Sequence, residues 1–430
     1  MVENQKRNGG GDLGGRTLYI PELSYASARV TAAAFRAIGI DAAVLPPSDE
    51  RTLELAGLFS SGEECLPHRL TLGDCLKICR APDSEPTKLA FLMPSAPGPC
   101  RFGQYAPYLR QVLGAEGFDD VLVFSPTSAD GYGGFGDHAS ELMRTMWMGL
   151  VAGDIATKLL LQTRPYETRA GDADRVFQRA IEDFQDVLSV PGVSHKQRLH
   201  ELQQRVEEAR DRFRRIPARY TRERPLVGLV GEIFCRLNTF SNEDVARRVE
   251  RLGGECWLSD TAEWVMYTNW SRETEAARTS GRLSRRYLKH RLKTLVQRRM
   301  EQALYAPLAG DFRGSEEPHD VREILQVAEP YLPAEGALGE MVLSVGKAIY
   351  LHGKGVDGVL DISPFTCMNG IVSEAVYPAV SADHDDIPIR VCYFDKAMSH
   401  IDRDLEIFLD LARAYAKRKR HARVYPAHFE

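Results

Sequence analysis

Nowhere in the 430 residues is there a run of 18 apolar side chains, so no bilayer-spanning helix is expected. There is no HExxH segment and no CxxC pair, which removes zincin, zinc-ribbon and thioredoxin-like chemistry. A complete Walker motif is also missing. Gly346-Lys347 resembles the end of a P-loop, but Ala348 replaces the magnesium-binding Ser or Thr, and Met341 stands where the first glycine belongs. ATP hydrolysis by this chain is therefore not expected. Basic residues do not exceed acidic ones (55 against 60, net charge −5), which argues against a protein devoted to nucleic acid. Cysteine is sparse too: eight in such a chain cannot build the dense disulfide scaffold of a small secreted protein. The opening MVENQKRNGGGDLGG has no apolar stretch of the signal-peptide kind and reads as a flexible lead-in over residues 1–15. The expected address is cytoplasmic, where cysteines are buried thiols, reactive thiols or metal ligands, and position has to decide.

What is present is a βαβ rhythm. Apolar runs predict strands at Thr17–Ile20, Asp41–Leu45, Lys88–Met93 and Asp120–Phe124, with helices over Tyr25–Ile38 and near 105–116. The plan then repeats: strands at Pro225–Val230, Glu255–Leu258, Gly358–Ile362 and Ile389–Phe394, with helices near 338–352, 369–382 and 402–419. Gly231–Phe240 reads as a loop, after which Ser241 or Asn242 caps a helix through Leu252. The predicted class is α/β, two Rossmann-like parallel-sheet domains at 16–137 and 223–430. A helical insert or linker occupies 138–222, its last part (Ala173–Arg214) broken around Val190–Ser194, and a second insert spans 271–330.

Two further patterns read as structural. Gly131, Gly133 and Gly136 fit G-x-G-x-x-G, but they lie six residues beyond the strand and no acidic residue ends a following strand at the required distance, so a glycine loop is expected. Arg282–Arg299 holds eight Lys or Arg, a solvated helical face or a dock for an acidic partner or a phosphate-bearing substrate.

Three cysteines stand apart. Cys100, in PSAPGPCRFGQY, and Cys367, in PFTCMNG, each follow a buried strand, at the sheet edge where open α/β folds place ligands. Their Pro- and Gly-rich loops leave amide N–H groups free to stabilise anionic sulfur. Cys65, in SSGEECLPHRLTLGD, precedes a helix whose N-terminus favours a thiolate. Set against this, Cys256 and Cys392 inside strands, and Cys75 and Cys79 on a helix, read as small buried hydrophobes.

Taken together, SGEECLPHRLTLGD, GPCRFGQY, GEIFCRLNTFSNED, EWVMYTN, GEMVLSVGKA and PFTCMNGIVSEA resemble the 2-hydroxyacyl-CoA dehydratase and benzoyl-CoA reductase superfamily, in particular its branch of activase-related proteins. That resemblance covers nearly the whole chain after residue 17. It implies an oxygen-sensitive [4Fe-4S] cluster in the interdomain cleft, held by Cys65, Cys100 and Cys367. It also implies an ATP-hydrolysing activator, carrying its own cluster, that supplies low-potential electrons for radical dehydration or reduction of a CoA thioester or similar substrate. Two departures are notable. Related proteins often show CxPC at the first cysteine, whereas His68 stands here as an altered ligand, a proton donor or a surface residue, and Cys235 is an extra ligand candidate. An electron-relay subunit and a double-cubane reductase, the latter recruiting Cys75, Cys79 and Cys235, are the alternatives. A homo- or heterodimer is expected. Substrate-positioning candidates are Arg101, Gln104, Glu232, Arg236, Asn238 and Glu374; the competing role is an Arg–Glu pair, Arg236 with Glu232 or Glu374, that merely locks the halves together.

Overall fold

A computed structural model describes residues 13–96, 98–126, 135, 138–337, 339–396 and 401–429. The glycines at 131, 133 and 136 lie outside them. The chain is α/β with two four-stranded parallel sheets. In the first, β1 (Thr17–Ile20), β2 (Ala42–Val44), β3 (Leu89–Leu92) and β4 (Leu122–Phe124) are ordered β2-β1-β3-β4. Its helices are α1 (Tyr25–Ala37), α2 (Glu50–Gly57), α3 (Leu66–Cys79) and α4 (Tyr105–Ala115). The run LAFL of β3 is buried at every position, as a strand covered on both faces must be. α1 begins with a capping box in which the Ser24 hydroxyl accepts from the Ser27 N–H at 3.0 Å.

Three helices follow, α5 (Ala139–Thr163), α6 (Asp172–Leu188) and α7 (His195–Arg214), with the break between the last two at 189–194. The second sheet contains β5 (Leu226–Gly231), β6 (Glu255–Leu258), β7 (Gly358–Pro364) and β8 (Ile389–Phe394), ordered β6-β5-β7-β8. Its helices are α8 (Ile233–Leu237), α9 (Val245–Arg251), α10 (Thr261–Ser280), α11 (Arg285–Tyr305), α12 (Val321–Ala328), α13 (Met341–Gly353), α14 (Met368–Asp383) and α15 (Ile401–Ala416). Both sheets thus repeat one strand order. α5 joins them: it packs against α1 on one side and against β6, α10 and α11 on the other. Its Trp147 is buried and donates to the Gln297 carbonyl at 2.8 Å. One apolar core runs from Val30 through Trp147 and Phe184 to Val230 and Val342. No helix among the described residues is long and apolar enough to cross a membrane.

Three expectations need correcting. The segment 231–240 is not all loop, because the Glu232 carboxylate caps α8 by accepting from the N–H groups of Phe234 and Cys235. Ser241 caps no helix, and α9 starts later, after Asp244 in the left-handed region (φ 54); Asn242 donates to the Cys235 carbonyl and accepts from the Val245 N–H, the first of α9, at 3.4 Å. The helix after β6, α10, begins at Thr261. Finally, no Arg236 ion pair with Glu232 or Glu374 occurs among the described residues; Arg236 donates instead to the Ser259 carbonyl at 2.5 Å. The P-loop look-alike is a helix-packing site, since a Cβ on Gly346 would collide with the Ile324 backbone of α12, and Lys347 is buried in an ion network.

Candidate functional site

The carboxyl edges of the two sheets meet through equivalent loops. After the first strand of each sheet, the Asn238 amide donates to the Glu22 carbonyl at 2.8 Å. After the third strand of each, Arg101 donates to the Thr366 hydroxyl at 3.0 Å. The same guanidinium nitrogen donates to the Glu63 carbonyl at 2.7 Å. Arg101 follows Cys100, Thr366 precedes Cys367, and Glu63 lies two residues before Cys65. One side chain therefore ties all three cysteine-bearing loops together, at the switch point between the first and third strands where open sheets bind ligands.

Each of the three cysteines holds an N-cap position with extended backbone. Cys65 (φ −66, ψ 151) precedes α3, Cys100 (φ −66, ψ 136) precedes the 3-10 turn leading into α4, and Cys367 (φ −71, ψ 124) precedes α14. Cys65 is buried, Cys367 half-buried and Cys100 exposed. Burial raises all three thiols above the usual range, Cys367 to about 12. Against this the amides of His68, of Phe102, and of Gly370 and Asn369 face the respective sulfurs and favour thiolate, although none makes a cap hydrogen bond. Thr366 is held at φ 64, a rare position for a β-branched residue, so the backbone entering the Cys367 loop is strained. Poised nucleophiles need depressed pKa values, which these thiols lack.

Two residues not anticipated from the sequence complete the surroundings. The Tyr105 hydroxyl lies 2.8 Å from the Cys65 sulfur. Glu340, one residue before α13, accepts from the Ile233 N–H at 3.1 Å, beside the cap made by Glu232. Burial and then the neighbouring charge of Glu232 push the Glu340 carboxyl up, so it holds a proton more readily than an ordinary Glu. Glu232 is raised as well, by burial. Gly231 brings this cap in close: at φ 117, any Cβ would strike the Ile362 backbone and Asp361. Tyr105 and Glu340 both sat inside motifs already quoted. Tyr105 falls one helical turn after Arg101, but nothing local shows that its hydroxyl reaches Cys65.

The other candidates divide. His68 is a buried ring stacked on Tyr105 (4.7 Å), with burial lowering its pKa and its Nε2 left without a partner. Cys235 is wholly buried; burial and Glu232 raise it, with Cys367 and Cys65 close enough to add to the effect. Arg236 is buried, makes no ion pair among the described residues and leaves its Nε without a partner. With Ser259, Asp154 and Asp260 it lines a cavity of about 310 Å³ at the carboxyl ends of β5 and β6. Asn238 is used up bonding Glu22 and Ser241. Glu374 is exposed and accepts from the Tyr393 hydroxyl, and Gln104 is exposed. Cys75, Cys79, Cys256 and Cys392 are buried in apolar clusters.

The donor set bears on what it would hold. Four ligands on one zinc ion stand about 4 Å apart. The three sulfurs are not all within 4.8 Å of one another; the one group of described His, Cys, Asp and Glu meeting that limit is His352, Asp385 and His421. No family model matches the chain, and no curated protein matches it.

Proposed function

We propose that this is an iron–sulfur protein similar to the 2-hydroxyacyl-CoA dehydratases. In this reading two Rossmann-like domains hold a [4Fe-4S] cluster in their cleft through Cys65, Cys100 and Cys367. The observation that carries it is Arg101, which gathers the three cysteine loops from both sheets at one edge. Held by these three thiolates, such a cluster would supply one-electron chemistry to a bound substrate. The chain's own residues do the rest. The Tyr105 hydroxyl shares a hydrogen bond with Cys65, and Glu340, whose carboxyl burial and Glu232 push up, stands as the acid. Arg236, a buried cation with no ion-paired carboxylate among the described residues, receives an anionic or carbonyl oxygen of the substrate.

Electrons come from an ATP-hydrolysing activator, because the chain carries no P-loop of its own. Leu288, Leu292 and Leu295 form an exposed stripe on the Arg-rich α11, and that is a surface for this activator or for a second subunit. A double cubane would need Cys75 and Cys79, which are packed among Leu55, Leu72 and Leu76. The test is the EPR spectrum of the anaerobically purified, reduced protein with and without added CoA thioesters. A thioester that reaches the iron changes the signal; a spectrum indifferent to every thioester refutes the catalytic reading. Turnover with a mild reductant and no ATP would refute the activator.

A further inference from the structure

At the opposite, amino-terminal edge of the second sheet, three side chains converge that take no part in the site above. His352 lies in the last turn of α13, Asp385 in the turn between α14 and β8, and His421 in the tail beyond α15. One ligand atom from each lies within 4.8 Å of the other two. His352 is buried, and its Nε2 has no hydrogen-bond partner. Asp385 Oδ2 stands 3.4 Å from it, an ion-pair contact when the ring is protonated, while Oδ1 of the same carboxylate is taken by Arg420 at 3.1 Å. The His352 and His421 rings are 4.9 Å apart and nearly perpendicular.

The surroundings carry both signs of charge: Arg418 donates to the Asp385 and Asp386 carbonyls and Arg420 pairs with Asp385, opposite several helix ends. α13, α14 and α15 all end near this edge, and helix C-termini carry partial negative charge on their unsatisfied carbonyls. Asp385 and the following Asp386 are both held in the left-handed region (φ 59 and 55), a conformation that non-glycine residues keep only when their surroundings fix it. The tail is already anchored next to the group, where Lys419 pairs with Asp357 at 2.7 Å.

We propose that His352, Asp385 and His421 bind one divalent first-row metal ion, and that it pins the C-terminal tail to the amino edge of the second sheet. Two imidazoles and a carboxylate form an N,N,O set suited to Zn²⁺, with water completing the coordination. The site is independent of the cysteines, so it stands whether or not a cluster is present.

The test uses the full chain, stripped with chelator and titrated with Zn²⁺, with zinc-edge X-ray absorption on the loaded protein. We expect one zinc bound through nitrogen and oxygen and a rise in melting temperature. His421→Ala, at an exposed position that should not disturb folding, is expected to weaken this binding by about 100-fold or more, because even an outer-shell partner is worth about 10–100-fold. His352→Gln should do the same, and Cys100→Ala should leave the site intact. Zinc bound through sulfur, or affinity unchanged in His421→Ala, would overturn the proposal.

Discussion

Lys347 gives the sharpest test of the interior. It is fully buried in α13, and its ammonium meets Glu263 at 2.7 Å and Glu317 at 2.5 Å. Burial alone would lower its pKa, but Glu263, Glu317 and Asp260 outweigh that and hold it charged. Lys347→Met keeps the length and removes the charge. Glu317 retains Lys158, whereas Glu263 loses its ion-pair partner. A buried carboxylate left in this way costs about 3–5 kcal/mol. In the parent chain, burial acts to raise Glu317 but Lys158 and Lys347 hold it low. Its contribution is therefore present above the unfolded carboxylate pKa and is lost only as pH falls through the lower folded value. Urea denaturation at pH 7 measures both chains. The defect should be about 4 kcal/mol, and Lys347→Met/Glu263→Gln should recover most of it. A defect under about 1 kcal/mol, or one that the second substitution does not relieve, would refute the reasoning.

Tyr105→Phe removes the hydroxyl 2.8 Å from Cys65 while keeping the ring against His68. If that hydrogen bond favours the reduced cluster by about 1 kcal/mol, the midpoint potential falls by about 40 mV with iron retained. Potentiometric EPR reads this, and an unchanged or raised midpoint counts against it. Asn238→Ala cuts two hydrogen bonds at 2.8 Å, one of them to Glu22 in the first half of the chain, and should cost about 2–3 kcal/mol of unfolding free energy. A loss below about 0.5 kcal/mol in denaturant would show that it is no latch.

Much of the fold is visible in local pattern. Thr17–Ile20, Glu255–Leu258 and Ile389–Phe394 are strands with the expected ends, because short apolar runs between turn residues leave little choice. The break between α6 and α7 likewise follows from Pro191 and Gly192. α8 was hidden because five residues carry no helical period of their own; it exists because the Glu232 carboxylate caps it and Gly231 permits the entry. Asp244 takes the left-handed position that local rules give to glycine, so α9 starts later than the Ser241-Asn242 signal suggests. For the site, the sequence places Cys65, Cys100 and Cys367 at loop positions. That Arg101 binds two other loops, that Tyr105 reaches Cys65, and that Glu340 meets Glu232 all depend on contacts across the fold, which no spacing encodes.

The central claim is the ligand set, and iron and acid-labile sulfide counting on anaerobically purified cysteine variants tests it most directly. The account predicts that Cys65→Ala, Cys100→Ala and Cys367→Ala each lose the brown chromophore and the iron of one [4Fe-4S] cluster. Cys256→Ala and Cys392→Ala, which alter buried strand positions, should keep both. Full iron content in any one of the first three variants, or a parent chain that binds no iron at all, would contradict it.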